Sequence, residues 1–499
     1  MQKKGMLFGT AMISAFSFAC RGVGMLFRLY LASRMGAEGV GLYQLIMSVY
    51  ALFTSFASAG FTVCVSRLAA VELECGGGES GAAFTSRLAM RLALFTGSAS
   101  AAALASLAVP LSALIPGGKG TALPFAILAL SMPFIALSSC LKGYFLASRK
   151  AAVPASAQLF EELCKIGLVF ASLSLFMADV SDNGTLCAGI AFGLSAGEML
   201  SFSYLCVFYR FTRRHARKDR EGAYETPRVV SAWLPVAASG WLTSGLHAAE
   251  NVLIPYCFTL YGGGGENALS QFGIIRGMAI PVLFFPFAFV SSFISVLTPE
   301  ISRLNAADRS ARDATVGKVL RLTSVISAAA GGMMFFYSRE ISECFFHTSG
   351  AAHAVRMLAV VTPLMYIETV SDGILKSIGE QKYCMRVTLA NCALRIAAVF
   401  LFIPKTGAEG YIWLLIVSNT FSFILCAGRL ALKCGVRGSK NYFLLPLAAS
   451  AGAGYLSYSL SCALESAPAR LCAGCGAMLL ILSPLAAALI VKNGYRKSV

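Results

Sequence analysis

The sequence predicts an all-α polytopic membrane protein, because of its composition, the length of its apolar blocks and the charge of the loops between them. Of the 499 residues, 57% are hydrophobic and 13% are charged, whereas a soluble globular protein carries about 25% charged residues. The apolar residues form blocks of about twenty or more, the length at which a helix crosses a bilayer. Uninterrupted apolar blocks exclude a β-barrel, whose strands alternate polar and apolar residues.

The apolar blocks predict about fourteen transmembrane helices. The first block follows Lys3 and Lys4, as in a signal peptide. Its apolar run of about 28 residues is longer than a signal core and contains arginines, so we expect a retained helix. The predicted helices are 6–33, 42–70, 83–114, 122–147, 155–178, 185–210, 229–260, 268–300, 316–346, 354–376, 384–403, 410–432, 442–461 and 470–491.

The loops between these helices alternate in charge. Basic residues gather at both termini and in the run "RFTRRHARKDR" (210–220), whereas turns such as "DVSDNG" (179–184) carry few. The positive-inside rule therefore predicts a multi-pass protein with both termini in the cytoplasm. The run 210–220 is a solvated linker or a contact for anionic membrane lipids. Because the net charge of +17 is spread over short loops, we expect no nucleic-acid partner.

The first twelve predicted helices form two sets of six that repeat one another. "EELCKIGLVF" (161–170) aligns with "NCALRIAAVF" (391–400), which pairs Lys165 with Arg395. Both sets begin on the same side of the membrane, so the repeat is parallel, a plan typical of transporters with a site at the repeat interface. The predicted division is an N-terminal six-helix lobe (1–220), a C-terminal six-helix lobe (221–437) and two additional transmembrane helices (438–499).

Cysteine and histidine do not predict a chemical site. The 16 cysteines are scattered through apolar segments, where cysteine behaves as a small packing residue. Cys472 and Cys475 form a single C-x-x-C that no second pair accompanies, and the four histidines show no ligand spacing. Because cysteine and histidine show no ligand spacing, we expect no bound metal. The predicted outer loops are all short and leave no room for a catalytic loop, so we do not expect an enzyme.

Two arginines lie inside the first predicted helix. Arg21 and Arg28 are seven residues apart, so they lie on nearly the same face, about 10 Å apart along the axis. A charged side chain near the bilayer centre costs at least about 2.5–3.5 kcal/mol, so two on one face are expected to face protein or a water-filled cavity. The alternatives are a buried ion pair and snorkelling to the interface, which suits Arg28 better than Arg21.

Further charged residues lie within predicted spans. Arg276 is in the eighth helix, and Lys165 in the fifth follows Glu161 and Glu162 at a spacing that predicts a local ion pair. A guanidinium group binds phosphate oxygens through two parallel hydrogen bonds. Arginines in the first and eighth helices therefore indicate an anionic cargo rather than a proton relay, which would need acids and histidines.

The segment "RLYLASRMGAEGVGLYQL" (28–45), followed by "SAGFTVCVSRLAA" (58–70), resembles the polysaccharide-flippase branch of the multidrug/oligosaccharidyl-lipid/polysaccharide exporter superfamily. Within that branch it is most similar to the stage V sporulation protein B-like group, which is related to the lipid II flippases. The resemblance implies two six-helix bundles, two extra C-terminal helices, a V-shaped central cavity and alternating access. The implied cargo is an undecaprenyl-(pyro)phosphate-linked saccharide or peptidoglycan precursor, held by Arg21, Arg28 and Arg276.

Some members of this superfamily bind sodium through acids and amides of the seventh, eleventh and twelfth helices. The candidate ligands that the resemblance implies here are Glu250 or Asn251, Asn391, and Asn419 or Thr420. Arg395 follows Asn391 by one helical turn, and a fixed positive charge there disfavours sodium. We therefore expect no cofactor, with sodium as the alternative. An ion pair between Glu250 and Arg395 is an equally good interpretation of these residues.

A flippase is the function that the arginines and the resemblance favour. A drug/cation antiporter of the same superfamily is the alternative within transport, but it predicts twelve helices and acids in the N-terminal cavity. A non-transporting scaffold for envelope assembly is a further alternative, in which buried arginines have less reason to exist. The expected partners are the lipid-linked saccharide, membrane lipids and envelope glycosyltransferases.

Overall fold

A computed structural model gives the fold of the chain. It describes residues 2–74, 78–115, 120–176, 180, 182–213, 226–262, 264–435 and 440–491. For some residues within these ranges, Arg21 among them, only the backbone is described. Most of the predicted basic run, residues 214–220, lies outside the described residues.

Every regular element in the described residues is a helix, as the sequence predicts. The helices are α1 (Gln2–Ser58), α2 (Phe61–Glu74), α3 (Gly78–Leu114), α4 (Ala122–Ala129), α5 (Met132–Ala147), α6 (Ala152–Ala171), α7 (Asn183–Arg213), α8 (Thr226–Leu260), α9 (Gly265–Phe272), α10 (Ile280–Phe284), α11 (Phe287–Ala307), α12 (Arg309–Phe336), α13 (Ser338–Phe346), α14 (Ala352–Ala359), α15 (Thr362–Ser377), α16 (Gln381–Cys434), α17 (Lys440–Ser461) and α18 (Ala467–Val491). Two π-helical segments also occur in this part of the chain, Ser172–Phe176 and Gly273–Ala279.

The two longest helices each join two predicted spans across a glycine kink. Gly36 in α1 has φ 67° and ψ −173°, and Gly407 in α16 has φ 62° and ψ −143°. Both glycines begin the same tetrapeptide, Gly-Ala-Glu-Gly. Only glycine adopts these backbone angles at little cost, because it has no Cβ. The chain is therefore kinked at these two glycines while helical structure continues on either side.

Prolines break several spans that the sequence predicts as single helices. Pro133 is the second residue of α5, after a break from α4, and Pro363 is the second residue of α15, after a break from α14. The α14–α15 pair is bent by 60°. Pro286 lies at the break between α10 and α11. Proline has no N–H to donate to the preceding turn, so it is favoured in the first turn of a helix, where that N–H has no partner within the helix.

The number of membrane crossings depends on how these bent pairs are counted. Nine helices in the described residues are long and apolar enough to cross a membrane, or ten if the α14–α15 pair is one span. The all-α polytopic fold is confirmed, while the predicted number of fourteen spans stays a prediction. Backbone groups in hydrocarbon must be satisfied within the chain, and these helices satisfy them internally.

The chain divides into two compact units. The first comprises Met1–Phe27, Glu38–Thr259 and Gly263–Leu269; the second comprises Arg28–Ala37, Leu260–Gly262 and Ser270–Val499. Within the first unit, α8 is tied to α1 and to the turn that follows it. Trp233 Nε1 donates to the Ala59 carbonyl at 2.8 Å, and Trp241 Nε1 donates to the Ser55 carbonyl at 3.1 Å. The division predicted from the repeat, at residues 220 and 221, stays a prediction.

Glycines let the helices of the first unit approach closely. A Cβ placed on Gly143 in α5 would lie 2.8 Å from the Thr62 carbonyl oxygen and 3.0 Å from the Val65 Cβ in α2. Helices in membranes associate largely through packing of this kind, because lipid supplies no hydrophobic force between them. Gly143 is therefore a site where α2 and α5 depend on the absence of a side chain.

Replacing Gly143 with alanine is expected to destabilise the protein, because the new methyl group would force α2 away from α5. The expected loss is about 1–3 kcal/mol of unfolding free energy, as for other overpacked sites. The matched control is Gly167→Ala in α6, where a Cβ would meet nothing within 4 Å. Thermal unfolding in detergent measures both variants. Equal melting temperatures for the two would contradict the close α2–α5 packing.

Candidate functional site

Arg21 and Arg28 stand in one continuous helix, α1. Residues 21 to 28 are helical throughout, and α1 departs from helical angles only at Gly36. Seven helical residues make nearly two full turns, so backbone positions 21 and 28 lie on nearly the same side of the helix axis, and the role of the two arginines stays a prediction. The Arg28 side chain is exposed, and the Arg21 side chain lies outside the described residues.

Arg276 lies in a π-helical segment of the second unit. The segment runs from Gly273 to Ala279, and Gly273, Ile275 and Gly277 within it are buried while Arg276 is half-buried. A π-helical turn inserts an extra residue into a helix and is frequent at functional sites. The sequence places Arg276 in the eighth predicted span. Nothing in the sequence predicts that this part of the span is π-helical.

The residues proposed for a coupling site lie in different units. Glu250 and Asn251 belong to α8 in the first unit, whereas Asn391 and Arg395 belong to α16 in the second. Glu250 is fully buried, with its Oε2 3.9 Å from His247 Nδ1. Asn251 Nδ2 donates to Ser48 Oγ at 3.0 Å. Both the sodium site and the Glu250–Arg395 ion pair stay predictions.

The other two candidate sodium ligands hydrogen-bond within their own helix. Asn419 Nδ2 donates to the Leu415 carbonyl at 2.7 Å, and Thr420 Oγ1 donates to the Ile416 carbonyl at 2.8 Å. Among the described residues, no group of three or more His, Cys, Asp or Glu side chains is placed to hold a metal ion. Cys472 and Cys475 are both free thiols.

A buried ionic network joins α6 and α7 in the first unit. Lys165 Nζ donates to Glu161 Oε1 and to Glu198 Oε1, both at 2.7 Å. The three side chains are only 12–14% exposed. Lys142 Nζ donates to the second oxygen of Glu161 at 3.3 Å, and Ser201 Oγ donates to the same oxygen at 2.9 Å. The predicted Lys165–Glu161 pair is confirmed.

Sequence spacing could not reveal that Lys165 bridges to a second helix. Glu198 is 33 residues away in the chain, and only the packing of α7 on α6 brings it to Lys165. Gly197 makes this packing possible, since a Cβ there would overlap the Lys165 side chain. Two lysines then face two carboxylates, so the network carries no net charge.

The second unit contains an apolar region, in contrast to the buried ionic network of the first unit. Among the residues that the structure describes, two neighbouring grooves of about 280 and 190 Å³ lie between α12, the α14–α15 pair and α17, and Phe423 of α16 also lines the larger groove. Pro363 and Leu447 line both. The remaining walls are formed by Ser324, Leu364, Ile367 and Phe423 in the larger groove, and by Ala328, Gly331, Gly332, Phe335, Phe336, Ala359, Val360, Ser450 and Ala451 in the smaller one.

Removing the central lysine of the ionic network is expected to destabilise the protein strongly. Lys165→Met would leave the buried carboxylates of Glu161 and Glu198 facing one another, at an expected cost of about 3–5 kcal/mol. Adding Glu198→Gln should recover part of that loss. The control is Lys318→Met, at an exposed position of α12. A melting temperature for Lys165→Met equal to that of the control would show that the network is not buried as described.

The chain is similar over most of its length to two curated proteins of Bacillus subtilis (strain 168). It is 23% identical to stage V sporulation protein B over 427 residues, which cover 82% of this chain and 80% of that protein. It is 22% identical to the lipid II flippase MurJ over 440 residues, covering 82% and 79% of the two chains.

The fold is shared with a solved transporter structure. The structure of a lipid II flippase MurJ in an inward closed conformation superposes with a TM-score of 0.71 at 14% sequence identity, covering 96% of this chain and 100% of the other. Lipid II flippase MurJ is by its name a transporter and not an enzyme.

The family itself is shown by a match along the sequence. Residues 6–305 match the family described as polysaccharide biosynthesis protein. That stretch includes α1 with its arginines, the ionic network of α6 and α7, and Arg276. The chain therefore belongs to the polysaccharide biosynthesis protein family, in the flippase branch of the multidrug/oligosaccharidyl-lipid/polysaccharide exporter superfamily.

Proposed function

We propose that this protein is a flippase for an undecaprenyl-(pyro)phosphate-linked saccharide or peptidoglycan precursor. It moves the cargo from the cytoplasmic to the outer leaflet by alternating access. The observation that carries the proposal is that Arg21 and Arg28 stand seven residues apart in the continuous helix α1. The transporter relatives named above support the same activity.

The arginines match the chemistry of the proposed cargo. A guanidinium group remains charged at all physiological pH values and offers a planar fork of donors to phosphate oxygens. Placing such a charge inside a membrane helix costs at least about 2.5–3.5 kcal/mol. A phosphate that enters between the helices would offset this cost while it is bound. Arg276, half-buried in its π-helical turn, is proposed as the third cation for the same head group.

The apolar grooves of the second unit suit the other end of the cargo. A prenyl chain is a long hydrocarbon, and each buried CH₂ group contributes about 0.8 kcal/mol. The walls of the larger groove include Leu364, Ile367 and Phe423. The groove borders α17, one of the two additional C-terminal helices. We propose that a distal part of the cargo's prenyl chain lies there while the head group is held by arginine.

The membrane potential favours one direction of transport. A cytoplasm-negative potential favours outward movement of an anion by about 2.3 kcal/mol per charge per 100 mV. The bacterial inner membrane and cytoplasmic termini belong to the same proposal, since they place the basic loops and the cargo's starting leaflet on one side. Glycosyl transfer onto a prenyl phosphate is the reaction class that must supply the cargo, which makes envelope glycosyltransferases the proposed partners.

Loss of the α1 arginines is expected to abolish transport of phosphate-bearing cargo. Each lost charged hydrogen bond costs about 1.5–3 kcal/mol, so Arg21→Ala and Arg28→Ala should each lower transport at least about tenfold. Leaflet exchange of a fluorescent undecaprenyl-linked saccharide in proteoliposomes measures this. The matched control is Arg386→Ala, at an exposed position of α16. Unchanged exchange by the double arginine variant would refute the proposed head-group site.

Filling the larger groove is expected to weaken binding of the prenyl tail. Leu364→Trp would displace about two CH₂ groups of the tail, which corresponds to about a tenfold higher KM. A short-chain analogue of the cargo should be transported with an unchanged KM, because it does not reach the groove. Leu432→Trp in α16, where the side chain is 82% exposed, is the control. Equal effects of Leu364→Trp on long and short cargo would exclude the groove as the tail site.

A further inference from the structure

An exposed stripe along α3 carries two arginines. Arg87 and Arg91 are one helical turn apart, and both side chains are exposed. The stripe continues with Phe95 and Val109, each 71% exposed. The other side of α3, where Ala93 is buried, packs on α2, α4 and α5. The two arginines therefore point away from the helices on which α3 packs.

The arginines stand at the point where α3 enters the hydrocarbon of the membrane. The helix is long and apolar enough to cross a membrane. Residues 92–114, which follow Arg91 directly, carry no charged side chain. As a helix they extend about 35 Å, close to the hydrocarbon thickness of a bilayer, about 30 Å. Arg91 and Arg87 thus lie at the level of the lipid head groups, about 6 Å apart along the helix axis.

In the part of the chain that the structure describes, no carboxylate forms an ion pair with either arginine. Arg87 Nε donates to the Ala83 carbonyl of its own helix at 3.4 Å, and its guanidinium carbon lies 5.9 Å from the centre of the Phe84 ring. Both partners are neutral groups. Like charges four residues apart on a helix repel one another. An anionic ligand that contacts both arginines would remove this repulsion.

We propose that this stripe binds an anionic phospholipid of the membrane, with the lipid phosphate at Arg87 and Arg91 and the acyl chains along Leu94 and Phe95. Guanidinium groups bind phosphate oxygens through parallel hydrogen bonds. Leu94 is 48% exposed, and together with Phe95 it presents apolar surface one turn deeper in the membrane. The inference is independent of the proposed function, because the lipid binds to this stripe whether or not the protein moves a cargo.

The net charge of the lipid decides between lipid classes. A zwitterionic lipid carries its own cation beside the phosphate and so has no net charge to offer. An anionic lipid neutralises a basic site, and each arginine near the membrane surface adds to its attraction. The stripe should therefore select phosphatidylglycerol over phosphatidylcholine.

Photo-crosslinking from position 95 tests the site in the full chain. Benzoylphenylalanine takes the place of Phe95, and the protein is reconstituted in vesicles of equal parts phosphatidylglycerol and phosphatidylcholine. Mass spectrometry of the adducts gives the ratio of the two lipids at this position. We expect about a tenfold excess of phosphatidylglycerol. The matched control carries the probe in place of Val109, about 21 Å further along the same stripe, where equal amounts of the two lipids are expected.

Substitution of the arginines separates charge from shape. Arg87→Gln with Arg91→Gln should bring the lipid ratio at position 95 to that of the control. Arg87→Lys with Arg91→Lys keeps both charges but loses the planar fork, and should retain a smaller excess of phosphatidylglycerol. Arg309→Gln with Lys318→Gln, at exposed positions of α12, removes the same amount of charge elsewhere and should leave the ratio unchanged.

Three results would overturn the proposal. The first is an equal lipid ratio at both probe positions of the wild-type background, and the second is an excess of phosphatidylglycerol that survives the glutamine double variant. The third is an adduct to a second copy of the chain in place of lipid, which would show that protein covers the stripe.

Thermal unfolding in detergent gives a readout that needs no probe. A ligand that binds the folded protein stabilises it, so added phosphatidylglycerol should raise the melting temperature of the wild-type protein. The rise should be at least halved in the double variant Arg87→Gln with Arg91→Gln and should be unchanged in the α12 control. Equal rises in the wild-type protein and the glutamine double variant would contradict the site.

Discussion

The constraint on which the rest of this structure depends is that a charge within the membrane must be paired or hydrated. The transfer cost of a lone charge is a large part of the marginal stability of a protein. The chain nevertheless carries lysine, arginine and glutamate inside its helices. In the first unit, Lys165 meets this constraint with two carboxylates from two helices. The network thus holds α6 against α7 while remaining electrically neutral.

Close packing is the condition that allows such pairing. Gly197 removes the side chain that would otherwise keep Lys165 from the α7 backbone, and Gly143 does the same for α5 against α2. Glycine is costly in a helix because it gains conformational entropy on unfolding. Its repeated use at helix contacts indicates that short interhelical distances matter more here than the stability of each helix alone.

The two halves have kept a common plan and diverged in charge. Lys165 of the first half aligns with Arg395 of the second, but Glu161 aligns with Asn391. The cation is therefore retained while the carboxylate one turn before it is replaced by a neutral amide. The second unit instead presents apolar grooves. This division suits a cargo with a charged head and a hydrocarbon tail.

The sequence by itself determined the helical membrane fold, the family and the spacing of Arg21 and Arg28 within one helix, because these depend on composition, motif and the regular period of one helix. It also determined the local pair of Lys165 and Glu161, which are one turn apart. Only the tertiary structure decided that Lys165 reaches Glu198 and that Gly143 lies against Thr62. Such contacts join helices that are distant in the chain, and helix packing sets them through shape rather than through any periodic signal.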